Sequence, residues 1–416
     1  MSAAAPLLGQ DNFSVSHSDD EFLEDIAKRS FRYFWDQADP NTGLVLDRAR
    51  CDGSLVPGRN LEVASTALTG YYLTALCIAA ERRWRNVNEV RERVRSALRH
   101  LANNQENERG WYYHFVNRKS GERVWRCELS TIDTAFLLAG VITAQQYFSD
   151  EREIFDLASF LFARVDFPWL LDEATGRIRM GWTPEAGFLR AEWTDYDENA
   201  ILTIIGIASP VNPIPASCWY SFRRQEIELY GYRFVGTGPI FVHQFPQAWL
   251  KLANQRDGPP FQIDYFENSR VATYAFRAQA LGLRSRFPSF SENLWGVTPS
   301  DSDIGYVIWG SPLSSRDLDG TIVPCAAGGS LMFAPEICVP ALRYMYAEFG
   351  DILCGPYGFA DSFNPQTRWV NPDVVGLDVG ITLFSAENLR SGNVWRWFSR
   401  SPDIQRAMAQ LFTPAD

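Results

Sequence analysis

Tyr196-Asp197-Glu198-Asn199-Ala200-Ile201-Leu202-Thr203-Ile204-Ile205-Gly206-Ile207 is the stretch on which the reading of this chain turns. Two adjacent carboxylates stand beside a tyrosine, Trp193 lies just upstream, and an apolar run follows. The run predicts a helix with Glu198 at or near its first turn. Carboxylates clustered with aromatic rings suit a sugar site. Flat sugar faces stack on aromatics, and glycosidic cleavage uses a carboxyl acid working with a second carboxylate. The pairing of acid and ring recurs at Phe34-Trp35-Asp36, at Trp125 with Glu128, at Trp295 with Asp301 and at Trp369 with Asp373.

Outward from this stretch, helical periodicity predicts further helices near 18–36, 62–83, 86–101, 130–148, 150–163, 215–228, 240–253, 265–284, 335–350, 377–390 and 401–412. In the first, Leu23, Ala27, Phe31 and Phe34 line one face, and Ser18 with Glu21 forms a capping box. Short strand-like pieces at Trp111 to Val116, with a turn at Ser120-Gly121, and at Ile178 to Trp182 read as hairpins between helices. No linker or low-complexity segment divides the chain. The fold expected is all-α: one (α/α)6 toroid barrel over residues 1–416, with small β-hairpin insertions and long loops. Residues 1–17 are read as an N-terminal arm. If inner and outer helices alternate, the inner starts carry Glu62, Glu128 and Asp133, Glu198, His243 and Glu336, converging at one end. Glu128, Asp133, Glu198 and His243 should then line one cleft. The stretch 286–333, with Trp295, Asp301, Asp303, Asp317, Asp319 and Gly328-Gly329, shows little periodicity and reads as a wall or lid over that cleft.

Each candidate has a structural rival. A carboxylate in a helix's first turn stabilises the dipole by about 0.3–1 kcal/mol, which favours the ionised form. Desolvation by Trp193 and Tyr196 would push Glu198 the other way, toward the neutral acid. Ser130 with Asp133 matches an S-x-x-D cap, whereas Glu128 lies outside that box. His243-Gln244 is isolated: the chain has four His, with no HxxxH or HxxE spacing, so neither a triad nor a metal is expected.

Composition sets bounds. With 416 residues, 46% of them hydrophobic, a large core is affordable. A net charge of −11 without a Lys/Arg block argues against nucleic acid and anionic membranes. Seven Cys without a CxxC pair point to free thiols in a reducing compartment. No secretory leader is seen, so a cytoplasmic location is expected. The expected partner is an oligo- or polysaccharide, with no cofactor; oligomeric state is left open.

Eight segments, YFWDQADPNTGLVLDRAR, ELSTIDTAFLLAGVITAQQYF, YDENAILTIIGIASPVNPIPASCW, DYFENSRVAT, LWGVTPSD, DGTIVPCAAGGSLMFAPEICVPALRYMY, GPYGFADSFNP and AENLRSGNVWRWF, occur in the order of a known family. From about Ile26 to Phe412 the chain resembles the glycoamylase-like domain, which includes bacterial endo-β-1,2-glucanases and the related domain of cyclic β-1,2-glucan synthases. The resemblance implies the same barrel and a glycosidase acting on β-linked glucan, with β-1,2-glucan or sophoro-oligosaccharides foremost. It implies Glu198 as general acid, Glu128 and Asp133 in the pocket, and Asp378 before the last inner helix; one of Asp133, Glu128 or Asp378 would activate water. The expected substrate-binding set is Asp47, Arg48, Trp193, Tyr196, His243, Gln244, Trp295, Asp301 and Glu387. Gln247, Val379 and Phe167 stand where the family usually carries His, Gln and Trp. Glu198 and its partners come from different helices, which favours the wide gap of about 6.5–9.5 Å used by inverting enzymes. The alternatives are a transglycosylase or a hydrolase for another linkage, and a sugar-binding barrel without catalysis.

Overall fold

A helix that is apolar all round must be buried all round, and one with a single apolar stripe must lie on the outside. Both kinds occur here. In the computed structural model, which describes residues 14–415 except 313, 315 and 316, the helices are α1 (His17–Gln37), α2 (Thr66–Glu81), α3 (Val87–Asn103), α4 (Thr131–Tyr147), α5 (Arg152–Ala163), α6 (Asn199–Ala208), α7 (Phe241–Gln244), α8 (Tyr265–Gly282), α9 (Pro324–Gly328), α10 (Pro335–Leu353), α11 (Gly376–Ser391), α12 (Asn393–Phe398) and α13 (Pro402–Leu411). Every residue of α2 from Thr66 to Ala80 is buried, as is all of α6 and nearly all of α4 up to Ala144. By contrast α3 buries a single stripe, mainly Val90, Val94, Ala97, Leu98 and Leu101.

The buried helices pack on one another in the order α6, α4, α2, α11, α9, and the amphipathic ones back them: α1 on α11, α5 on α4, α13 on α6 and α10 on α9. The approach of α2 to α4 is made by glycine. A Cβ on Gly140 would lie 2.0 Å from the Gly70 carbonyl oxygen, and one on Gly70 would lie 2.1 Å from that of Phe136. Backbone therefore meets backbone at this crossing. One continuous set of buried apolar residues extends from Leu23 to Phe412. Strands are short and antiparallel, and they sit where the buried helices begin: Leu129–Ser130 leads into α4 and pairs with Gly181–Thr183, and Asp373–Val375 leads into α11 and pairs with Arg48–Arg50.

Several sequence expectations change. The helix expected over 215–228 is a 3-10 turn, Ala216–Tyr220, followed by the strand Glu226–Leu229 paired with Tyr232–Val235. Ile227 and Leu229 are buried between exposed Glu226 and Glu228, a period of two rather than 3.6. The helix expected over 240–253 stops at Gln244 and continues only as a 3-10 turn from Pro246, which has no N–H to extend the helical ladder. Ser16, not Ser18, caps α1, accepting the Asp19 N–H at 3.1 Å. The N-terminal arm expected over 1–17 falls outside the described residues up to residue 13, and His17 already belongs to α1. Two short helices, α9 and α12, went unexpected, α9 within the 286–333 stretch. No described helix is long and apolar enough to cross a membrane.

Candidate active site

Helix starts bring the acids together. Glu198 is the N-cap residue of α6, Asp133 sits in the first turn of α4, Asp378 in the first turn of α11, and Tyr71 in the second turn of α2. Tyr71 is fully buried and its hydroxyl has no hydrogen-bond partner. Its pKa lies well above the usual phenol value, first because it is buried and then because the charges of Glu198, Asp378 and Asp133 all bear on it. The three carboxyls thus lie within electrostatic reach of one buried phenol.

Glu198 remains partly exposed to the cleft. Loss of hydration raises its pKa well above the ordinary carboxyl value, and the charges of Asp197 and Asp133 push it further. Asp197, whose Oδ1 accepts the Glu198 N–H at 2.7 Å, is itself raised to about 6, chiefly by desolvation. Desolvation therefore overrides the helix dipole and favours the protonated form of Glu198.

On the α4 side, Ser130 caps the helix as expected, its hydroxyl donating to Asp133 and accepting the Asp133 N–H. The other partner is a residue that the sequence reading missed. His114 Nδ1 lies 2.9 Å from Glu128 Oε1, and Nε2 lies 3.5 Å from Asp133 Oδ2. Burial would lower the His114 pKa, but Asp133, Glu128 and Asp47 outweigh it and carry it to about 9. His114 is thus an imidazolium at neutral pH. It holds Glu128 below the usual carboxylate range and opposes the desolvation that raises Asp133. The turn at Ser120-Gly121 pairs Val116 with Arg123, and the left-handed residues Trp125 and Arg126 then shift the register so that His114 faces Glu128. The His114 N–H donates to the Glu128 carbonyl at 2.9 Å.

On the α11 side, Asp378 is pushed well up by burial and by the neighbouring carboxyl of Asp361. Asp378 Oδ2 has no hydrogen-bond partner. Asp361, also missed, accepts the Asp301 N–H at 3.0 Å, the Ser362 hydroxyl at 2.9 Å and the Asn371 amide at 2.7 Å. Arg48 donates to Asp47 at 3.2 Å and Asp301 at 2.7 Å, and its charge bears on Asp378. Asp47, Arg48 and Asp301 therefore join the acids as expected, Asp301 from a hairpin (Ser300–Ser302 with Gly305–Val307) inside the stretch read as a wall.

Other expected residues lie elsewhere. Glu387 is nine residues beyond Asp378 on α11, about 13 Å along the axis at 1.5 Å per residue. It is fully buried and bonded to Arg82, Ser391 and Asn393, so it is a core ion pair and not a sugar contact. His243 has no exposed surface. Burial lowers its pKa to about 3, no carboxylate faces it, and it packs by Gly236, Phe234 and Ser269. It therefore does not line the cleft with Glu128, Asp133 and Glu198. Gln244 is buried too, its amide donating to the Ala326 carbonyl and the Ser330 hydroxyl, which ties α7 to α9. Trp295 is wholly buried and offers no face for stacking. Trp193 and Tyr196 are also buried; the Trp193 indole donates to Thr131 at 3.1 Å and braces the start of α4. Of the predicted inner starts, Glu62 pairs with Arg118 and Lys119, and Glu336 with Tyr274 and Arg270, so neither adds to the acid group. Among the described residues no group of three or more His, Cys, Asp or Glu has the arrangement of a metal site.

Comparison with known proteins adds three findings. The Glycoamylase family model, described as "Putative glucoamylase", matches residues 190–402. An exo β-1,2-glucooligosaccharide sophorohydrolase (non-reducing end) of Parabacteroides distasonis is 26% identical over 95% of this chain, and the chain spans 58% of that relative's length. Among solved structures, one from Bacteroides uniformis with the same description as the family model is 28% identical (TM-score 0.87, 96% of this chain and 99% of that one). The endo-β-1,2-glucanase of Chitinophaga pinensis, solved with sophorotriose and glucose, shares the fold at 24% identity (TM-score 0.88, 96% and 99%).

Proposed function

Because the chain belongs to the Glycoamylase family, we propose that it is a glycoside hydrolase that cleaves β-1,2-linked glucan or sophoro-oligosaccharides, in a site formed where the inner helices of an (α/α)6 toroid begin. The order in which the buried helices pack, with amphipathic helices behind them, supports the toroid. The observation that carries the reaction is the gathering of Glu198, whose protonated form burial and acidic neighbours favour, with Asp378 and Asp133 near the buried Tyr71.

Glu198 donates its proton to the leaving glycosidic oxygen. A general base works best with a pKa near the working pH and an oxygen free to accept. Asp378 fits best among the candidates: burial and Asp361 raise its basicity, and its Oδ2 is unpartnered. The Asp361–Asp378 pair holds one proton between two acids and takes a second from the attacking water. Glu128 is the weakest candidate, since His114 holds it in the ionised, poorly basic form. Asp133 is occupied by Ser130 and His114 and serves as a fixed negative charge that keeps Glu198 protonated. Acid and base stand on different helices, which suits inversion.

The test is turnover of sophoro-oligosaccharides and of other β-linked glucans, with the product anomer followed by NMR and a parallel assay in EDTA. Release of α-anomeric product from β-1,2-linked substrate, unaffected by chelator, is expected. A β-anomeric product would overturn inversion. Binding without cleavage on every β-glucan would favour a sugar-binding barrel, and glycosyl transfer to sugar in place of water would favour a transglycosylase.

A further inference from the structure

Trp125 is unusually exposed for its size, with 49% of its surface open to solvent. Trp125 and Arg126 both adopt left-handed backbone (φ 55° and 52°), a conformation that residues with side chains rarely take. Consecutive strain of this kind persists only where the surroundings over-determine it. Here they do. Arg123 donates to the carbonyls of Arg126 at 2.6 Å and Cys127 at 2.5 Å, and both oxygens of Glu185 grip it in turn at 2.8 and 3.1 Å. The Val124 N–H bonds the Phe115 carbonyl at 3.1 Å, and the Phe115 N–H meets Cys127 Sγ at 3.2 Å. A loop needed only as a connection would relax; this one is pinned so that an indole stands out in water.

Two ring contacts link the indole to the acids. Its ring meets Phe115 edge-on with centroids 5.1 Å apart, and Phe115 lies flat on His114 at 3.9 Å and 15°. His114 in turn bonds Glu128 and faces Asp133. A row of rings therefore leads from solvent to the charged wall of the site. The axial C–H bonds of a β-glucosyl ring make an apolar face that an indole covers well, while the sugar's hydroxyls stay in water.

We infer that Trp125 is a carbohydrate-stacking platform that takes a glucosyl unit of the substrate chain outside the pair cleaved at Glu198, on the Glu128 side of the site. The inference rests on the glucan-hydrolase reading and adds where a longer chain is held.

Trp125→Ala and Trp125→Phe would be compared with wild type on the shortest sophoro-oligosaccharide cleaved and on chains several units longer. For Trp125→Ala, KM on long chains is expected to rise about tenfold, with kcat within about twofold. The shortest substrate should keep its KM, Trp125→Phe should recover most of the loss, and the melting temperature should hold. An unchanged KM on long chains would overturn the platform. So would an equal loss at every chain length with a lowered melting temperature, which is the mark of a merely structural tryptophan. If wild type cleaves no β-1,2-glucan, the hydrolase reading fails by itself, and calorimetry with β-glucan chains decides the platform: weaker binding by Trp125→Ala supports it, and equal binding sinks it.

Discussion

On the α4 side of the pocket Asp133 faces an imidazolium; on the α11 side Asp378 faces a second carboxylic acid. The two aspartates have the same chemistry, occupy the same place in a helix's first turn, and are both crowded by protein. Burial raises both. What separates them is company. His114 and Ser130 draw Asp133 back toward its ordinary value, while Asp361 drives Asp378 further away. Position on the fold thus delivers an acid to the site, and a neighbour one layer out decides whether that acid serves as a charge or as a proton acceptor.

The sharpest test of this contrast is the residue between the two sides. Glu198→Gln keeps the shape but cannot donate a proton, and kcat should fall about 10³-fold, within the range for general acid catalysis, with KM little changed. The loss should shrink on aryl glycosides with good leaving groups. Near-normal turnover of glucan by this variant would sink the acid assignment.

Next in size is Asp133→Asn. It removes one of the negative charges that raise Glu198, so Glu198 should lose its proton at lower pH. The basic limb of the kcat/KM profile should move to lower pH, with activity lost on its alkaline side and little changed on the acid side. A basic limb that stays in place would mean that Asp133 does not tune the acid.

Asp361→Asn probes the other side and should act on the other limb. Without the second acid, Asp378 ionises more readily, and the acid limb should move down while the basic limb stays. A change of less than about tenfold at neutral pH is expected. If this variant shifts the basic limb and Asp133→Asn the acid one, the roles of the two sides are reversed.

The smallest effect is on stability. His114 is raised in the fold from an ordinary 6.5 to about 9, so its protonation contributes stability that is fully present below pH 6.5 and lost as pH rises through 9. His114→Gln should therefore melt below wild type at pH 6, and the gap should narrow by pH 9.5. A gap independent of pH would show that the imidazole acts through packing on Phe115 and not through charge.

How much of this was legible beforehand differs between the same two sides. Helix periodicity and caps found Glu198 and Asp133, because the acids sit at the starts of runs whose apolar character is unmistakable. Asp378 came from family likeness alone. His114 and Asp361 escaped since neither lies in a helix: one is set opposite Glu128 by hairpin register, the other held by the backbone of Asp301 across sixty residues. Trp295, Gln244 and Glu387 were over-read for a related reason. A residue type that suits a sugar carries no mark of which way it faces, and these three turn inward.

The glycine crossing of α2 and α4 has a consequence for how such a site tolerates change. Tyr71 directly follows Gly70, and Asp133 lies two turns before Gly140, so their separation is set where one carbonyl rests against a neighbouring Cα. That distance is fixed by atomic radii, not by side-chain volume. Leucines and valines elsewhere in the interior can drift to other sizes without passing the change on to the pocket. The spacing of Tyr71 and Asp133, unlike that of Glu198 on α6 or Asp378 on α11, is therefore set by backbone alone.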